Sequence, residues 1–317
     1  MLQDTGVIRV GQTSDTTRIK DLISFLPAAS LQQLTEETSI TLVQNLQQVN
    51  ISIPGRQQPI QTSYIHQGNG GQPILLLHGF DSSVLEFRRL IPRLAVSHAT
   101  WGVDLLGFGF NQRPLDIPYT TDSIKTHLYQ FWHTLINQPI ILVGASMGGA
   151  AAIDFSLTYP DVVKKLVLID SAGLTGGSPI SKLMFPPLDT WATDFLRNPK
   201  IRQSISRAAY KNKEFASLDA QICASLHLGM ENWHRSLIAF TKSGGYRPFR
   251  FTTLNKISQP TLILWGDSDK ILGVKDAARF KRGIPHSKLV WIENCGHVPH
   301  LEQPEVTAQA ILSFVAE

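Results

Sequence analysis

Short apolar runs, repeated along the chain with amphipathic stretches between them, limit this sequence to few folds. The runs cover 74–77, 100–103, 140–143, 166–169, 261–265 and 288–291. Runs that are apolar throughout, not at alternate positions, belong to strands covered on both faces. Stretches with helical spacing lie between most of them, at 84–94, 121–136, 149–158 and 274–282. Strand–helix–strand repetition predicts an α/β fold with a doubly wound, mostly parallel sheet.

The rhythm breaks once. Between Ile169 and Thr261 no buried run occurs, but helical patches carry Leu183, Met184, Phe185, Trp191, Phe195, Leu196, Ile222, Leu226, Leu228, Met230, Trp233, Leu237, Ile238 and Phe240. A structureless loop of that length is rare in a compact domain. Residues 173–259 are therefore expected to form an inserted helical cap, with 51–172 and 260–317 as the core. Residues 1–50 read as a helical N-terminal extension. Ile19, Leu22, Ile23 and Leu26 are spaced for one helix face, and Leu31, Leu34, Leu42, Val43, Leu46 and Val49 suggest a second helix after Pro27.

Composition removes several classes. The chain is 43% hydrophobic and 17% charged, which favours a packed core over disorder. No apolar run approaches the roughly 18 residues that span a bilayer. The first residues, Met1-Leu2-Gln3-Asp4, lack the basic-then-apolar pattern of a secretory signal. Cys223 and Cys295 are too few for a disulfide scaffold or a cysteine-only zinc site, so a reducing, cytoplasmic setting is expected. No run of Lys and Arg marks a nucleic-acid patch.

The chemistry centres on Gly144-Ala145-Ser146-Met147-Gly148-Gly149. It follows an apolar run and opens a helical stretch, the context that a G-x-S-x-G nucleophile elbow requires. Small neighbours let strand and helix approach where the serine turns. Serine needs a base, and the base needs an orienting acid. Asp267 and Asp269 follow one apolar run, and His297 follows the next, in the order serine, acid, histidine. A tetrahedral oxyanion needs preorganised donors. The Met147 and Phe80 backbone amides are the candidates. His78 and Cys295 read as structural or packing residues. No metal, P-loop or dinucleotide motif accompanies these residues, so no cofactor is expected.

The chain resembles the α/β-hydrolase superfamily through His78-Gly79-Phe80, Asp104-Leu105-Leu106-Gly107-Phe108-Gly109, Gly144 to Gly149, Trp265 to Asp269, and Gly296-His297 followed by Glu302-Gln303-Pro304. The resemblance covers about residues 60 to 317. It implies an eight-stranded, mostly parallel sheet with a cap between strands six and seven. It also implies Asp269 as the catalytic acid, with Asp267 as backup. Asp104 and His300 are then structural, and Asp170 stands where some relatives place the acid. Leu106 and Asn111 depart from the common Pro and Ser, which touches the pocket loop and not the triad. A serine at the elbow argues against dehalogenation and epoxide opening. His78-Gly79-Phe80-Asp81-Ser82-Ser83 followed by Leu85-Glu86-Phe87-Arg88 is similar to hydrolases of cyanobacteria and plastids, and more distantly to enzymes that remove the phytyl ester from chlorophyll-type pigments.

The expected activity is hydrolysis of a lipophilic carboxylic ester through an acyl-enzyme. The alternatives are carbon–carbon hydrolysis of a diketone-type ring-cleavage product and a slow-turnover ligand receptor. Residues 173–259 hold twelve Lys and Arg against five Asp and Glu, a balance of +7, whereas the whole chain stands at +4. A basic, greasy cap suggests peripheral contact with an anionic membrane surface.

Overall fold

The structure, a computed structural model, describes residues 28–175 and 188–317. The spacing at Ile19, Leu22, Ile23 and Leu26, the patch Leu183 to Phe185 and the Trp191 side chain lie outside what is described. In chain order the elements begin with α1 (Ala28–Leu31), α2 (Glu37–Gln44), β1 (Gln47–Ile51), β2 (Ile60–Gln67) and β3 (Ile74–Leu77). A 3-10 turn (Val84–Phe87), α3 (Ile91–Leu94), β4 (Thr100–Val103), α4 (Thr121–Leu135), β5 (Ile140–Ala145), α5 (Met147–Thr158) and β6 (Val163–Ile169) follow. Then come α6 (Leu188–Arg197), α7 (Pro199–Ala209), α8 (Leu218–Cys223), α9 (Trp233–Lys242) and α10 (Phe251–Leu254). The chain closes with β7 (Thr261–Gly266), α11 (Lys275–Gly283), β8 (Ser287–Ile292), α12 (Pro299–Glu302) and α13 (Pro304–Ala316).

The strands form one eight-stranded sheet in the order β1-β2-β4-β3-β5-β6-β7-β8. Strand β2 runs antiparallel to β1 and β4, and the other pairs are parallel. Successive residues of β3 feed opposite faces. Leu75 and Leu77 join one core cluster, while Ile74 and Leu76 join the other. Helices cover both faces of the central strands, as strands without polar positions require, but β8 at the end of the sheet leaves Val290 and Trp291 exposed, so the run at 288–291 is not covered on both faces.

Strand order reverses between β3 and β5. From β3 the chain crosses to β4 on one side, and from β5 it continues to β6 on the other. Ligand sites in open α/β sheets collect at such a switch point, beyond the carboxyl ends of the strands. Leu77 pairs with Gly144, so the segments that follow β3 and β5 leave the sheet side by side.

Two local expectations fail. Residues 84–94 are not one helix. Ser83 caps a 3-10 turn that ends at Phe87, and a separate α3 starts at Ile91. Pro92 lacks the N–H that a continuous helix would need, so it sits in the first turn of a new one. Val49 is not helical either. Helix α2 stops at Gln44, and Val49 lies on the edge strand β1. The buried side chains of α2 are Ser39, Leu42 and Val43, and Leu46 packs with Leu42 and Val43 in the core.

Candidate active site

Ser146 stands between β5 and α5 with φ 52°, a left-handed conformation that a non-glycine residue adopts only under constraint. Its backbone is held on every side. Ser146 N donates to Ile169 O at 3.0 Å, and its carbonyl accepts from Gly149 N at 3.0 Å and Ala172 N at 2.9 Å. The glycines are there for space. A Cβ on Gly148 would stand 2.0 Å from the Leu77 carbonyl oxygen, and one on Gly144 would stand 2.2 Å from that of Gly148. The helix therefore lies directly on β3 and β5, which fixes the serine at the carboxyl end of the central strands.

His297 follows β8 and Asp269 follows β7. His297 Nδ1 lies 3.0 Å from Asp269 Oδ2, and both side chains are buried. The other carboxylate oxygen of Asp269 accepts from Ile271 N at 2.7 Å and Leu272 N at 3.1 Å. Burial works against the charged form of Asp269, but the hydrogen bond and charge of His297 and those two amides hold its pKa below the ordinary value. With Nδ1 committed to Asp269, Nε2 is the nitrogen left for a substrate or nucleophile. His297 N also donates to Ala209 O at 2.7 Å, which ties the histidine loop to α7.

The neighbouring acids take other places. Asp267 is exposed and caps a turn, accepting from Asn294 N at 3.0 Å and Cys295 N at 3.3 Å. Asp170 is fully buried and accepts from Gly266 N at 3.1 Å. Burial, and then the charge of nearby Asp269, push its pKa well above the ordinary value, which favours the neutral acid. Asp170, Asp269 and His297 are the one acid–histidine grouping near enough to share a cation among the described residues. The Asp269 and His297 atoms there are already engaged with each other.

The segment after β3 brings a backbone edge against Ser146. A Cβ on Gly79 would lie 3.3 Å from the Ser146 Cβ. Gly79 N donates to Glu86 Oε2 at 3.0 Å, and the next amide is that of Phe80. Met147 is the first residue of α5, where an N–H has no partner inside the helix. His78 is wholly buried. Its Nε2 accepts from Leu105 N at 3.0 Å, so Nδ1 carries the proton and donates to Gly79 O at 2.8 Å. Burial lowers its pKa to about 4, consistent with a neutral ring that shapes the loop. Asp104 likewise binds backbone, accepting from Val84 N and Phe110 N at 2.7 Å each. Cys295 is buried, and burial raises its thiol pKa, which makes it a poor nucleophile.

A cavity of about 310 Å³ opens over Ser146 and His297. Gly79 and Phe80 form one wall, and Arg202, Ile205, Ser206 and Ala209 of α7 form another. Arg202 bonds to the Asp81 carboxylate, which also accepts from Trp233 Nε1 at 2.8 Å and lies 3.2 Å from His227 Nε2. Burial opposes the charge on Asp81, yet His227 and Arg202 hold its pKa below the ordinary value. Sequence reasoning assigned no role to Asp81, Glu86, Arg202 or Glu302. Asp81 stands directly after Phe80, and Glu302 belongs to a segment already quoted for the resemblance. Asp81 and Arg202 meet partners far away in the chain, and Glu86 and Glu302 each join a near backbone amide to a distant group, so no spacing reveals them.

Fold and site together define a hydrolase of the α/β class. The chain matches the family model described as "alpha/beta hydrolase fold" over residues 72–304, and it belongs to that family. It is 31% identical to the alpha/beta hydrolase domain-containing protein VTE7 of Arabidopsis thaliana over 246 residues, which cover 77% of this chain and 74% of that one. It is 30% identical to the 2-hydroxy-6-oxo-6-(2'-aminophenyl)hexa-2,4-dienoic acid hydrolase of Metapseudomonas resinovorans, over 81% of this chain and 88% of that one. Its identity to Lipase 1 of Psychrobacter immobilis is 31%, over 79% of each chain. No helix among the described residues is long and apolar enough to cross a membrane.

Proposed function

We propose that the protein is a serine carboxylic-ester hydrolase acting on a lipophilic ester, with 173–259 as its cap. His297, oriented by Asp269, takes the Ser146 Oγ proton through Nε2 as Oγ attacks the ester carbonyl. The oxyanion is received by the Phe80 and Met147 amides. The carbon–oxygen bond to the alcohol then breaks, and the alcohol leaves with the proton from His297. Water gives a proton to the same nitrogen as it attacks the acyl-serine, and His297 returns that proton to Ser146 Oγ as the carbon–oxygen bond to the serine breaks and the acid is released. The cap walls the reaction from bulk water.

The observation that carries the ester reading is the state of Arg202. Among the described residues that line the cavity it is the one Arg or Lys, and its guanidinium is committed to Asp81. A cavity whose cation is neutralised, and whose remaining lining includes Phe80, Ile205, Ile271 and Leu301, suits an uncharged apolar group. Turnover of p-nitrophenyl esters of increasing acyl length tests this, with Ser146→Ala as the control. Activity that persists in the variant would overturn the serine mechanism. The particular ester proposed is a phytyl ester of a chlorophyll-type pigment, on the likeness at residues 78–88, and release of phytol checks it.

The dienoic acid hydrolase relative favours a second reading, hydrolysis of a carbon–carbon bond in a ring-cleavage diketone on the same residues. Loss of the chromophore of such a product, with no turnover of any ester, would select it.

A further inference from the structure

Helix α7 is eleven residues long, and none of them is buried. Its cavity face is spaced as one helical stripe, Arg202, Ile205, Ser206 and Ala209. Ile205 is 47% exposed, and two other cavity-lining residues, Phe80 and Ile271, are 45% and 43% exposed. Large apolar side chains thus meet solvent on three separate segments around one opening. Scattered exposed apolar residues need no explanation, but a cluster at the mouth of a greasy cavity marks a contact surface.

The segment that supplies one wall of that opening is basic. From Arg197 to Lys213 the chain holds six basic residues and no acidic one. Arg202 is neutralised by Asp81. Arg197, Lys200, Arg207, Lys211 and Lys213 are exposed; none forms an ion pair with an acid among the described residues, though the charge of Lys211 acts on Asp267. Exposed cations on the helix that carries Ile205, and on the turns that flank it, together with the apolar rim complement a surface that is anionic outside and apolar just beneath, which is a bilayer with acidic headgroups. A nucleic acid would use the cations but not the apolar rim.

We propose that α7 and the turn after it dock on an anionic lipid bilayer, with Phe80, Ile205 and Ile271 at the lipid surface and the cavity mouth facing it. The ester would then pass from membrane to cavity without crossing water. This rests on the lipophilic-ester reading above for its purpose, though not for its geometry. The attraction is screened within a Debye length, so it weakens with salt.

Flotation of the full chain tests the proposal, using phosphatidylcholine vesicles with and without phosphatidylglycerol at low and high salt. A variant carrying Arg197→Glu, Lys200→Glu and Arg207→Glu is compared, and turnover of p-nitrophenyl butyrate in solution is followed in parallel. The expected result is retention on the anionic vesicles at low salt and release at high salt. The variant should show at least a tenfold smaller bound fraction and wild-type turnover of the soluble ester. Absence of wild-type retention, equal retention on neutral vesicles, or equal retention of the variant would overturn it. A gel shift with a single-stranded polynucleotide, without flotation, would overturn it in favour of nucleic acid. Salt-sensitive flotation without turnover of any ester would leave the docking standing and sink the ester reading instead. Turnover without flotation would do the reverse.

Discussion

Glu302 accepts the Gly296 N–H at 2.8 Å and, through the same carboxylate, the Lys211 N–H at 2.9 Å and the Asn212 N–H at 2.6 Å. One buried side chain therefore joins the loop that carries His297 to the chain just beyond α7. A carboxylate suits this place because it only accepts, and each partner only donates. Glu302→Gln turns one acceptor into a donor that faces an N–H. Bonds to charged groups contribute about 1.5–3 kcal/mol each, so unfolding by urea should show a loss of about 2 kcal/mol. A fall in kcat should accompany it, because the histidine loop loses its anchor to the cavity wall. An unchanged midpoint and unchanged kcat would show that the bridge has no such role.

Asp269 and Asp267 are two residues apart, yet only Asp269 reaches His297. Asp269→Asn should hold the ring in the wrong tautomer and lower kcat by about four orders of magnitude, as expected for the acid of a triad. Asp267→Asn should leave kcat at the wild-type level and cost only the turn that it caps. Steady-state kinetics on a p-nitrophenyl ester decide between the two. A large loss for Asp267→Asn would reverse the assignment.

Much of this was legible because the central strands are apolar at every position and the elbow glycines leave a dense local signature. The antiparallel strands were not. Strand β2 places Gln61, Thr62 and Ser63 in sequence, and β1 carries Gln47, Gln48 and Asn50 among its five residues, so neither looks like a buried run. Ser146, Asp269 and His297 could be picked out as candidates because each follows an apolar run at a carboxyl end. Asp81, Glu86 and Glu302 could not be assigned, because a carboxylate that binds distant backbone or distant cations has no periodicity. Asp81 meets Arg202, His227 and Trp233, all contributed by the stretch between β6 and β7. That contact exists only once the inserted helices settle on the sheet.

Glu86 gives a prediction in pH. Its carboxylate accepts from Gly79 N, and His300 Nε2 lies 3.1 Å away. Burial opposes its charge, but His300, with smaller help from His78 and Ser82, outweighs burial and brings the pKa down to about 2 from an ordinary 4.5. A depressed acid contributes stability that is fully present above its ordinary pKa and is lost as pH falls through its folded one. The window is therefore pH 4.5 down to about 2, and the loss is on the order of 3 kcal/mol. Glu86→Gln cannot ionise, so its contribution should stay flat there. Urea midpoints across that range should fall faster for wild type than for the variant. Parallel curves would remove the ionised Glu86 from the account.

Ser146 holds φ 52° because Ile169, Gly149 and Ala172 fix its backbone and leave no room to relax. A non-glycine residue there stores about 1–3 kcal/mol. Glycine adopts that angle freely, though its looser unfolded chain takes back about 0.5–1 kcal/mol. Ser146→Gly should thus abolish turnover and still unfold at a higher temperature, with a net gain of about 1 kcal/mol or roughly 2 °C. Ser146→Ala loses the same hydroxyl but keeps a Cβ at positive φ, so it should lack the gain. Comparing the two by calorimetry separates backbone strain from the loss of the side chain. Equal melting temperatures would mean that the elbow stores no strain, and that the serine is positioned by its hydrogen bonds alone.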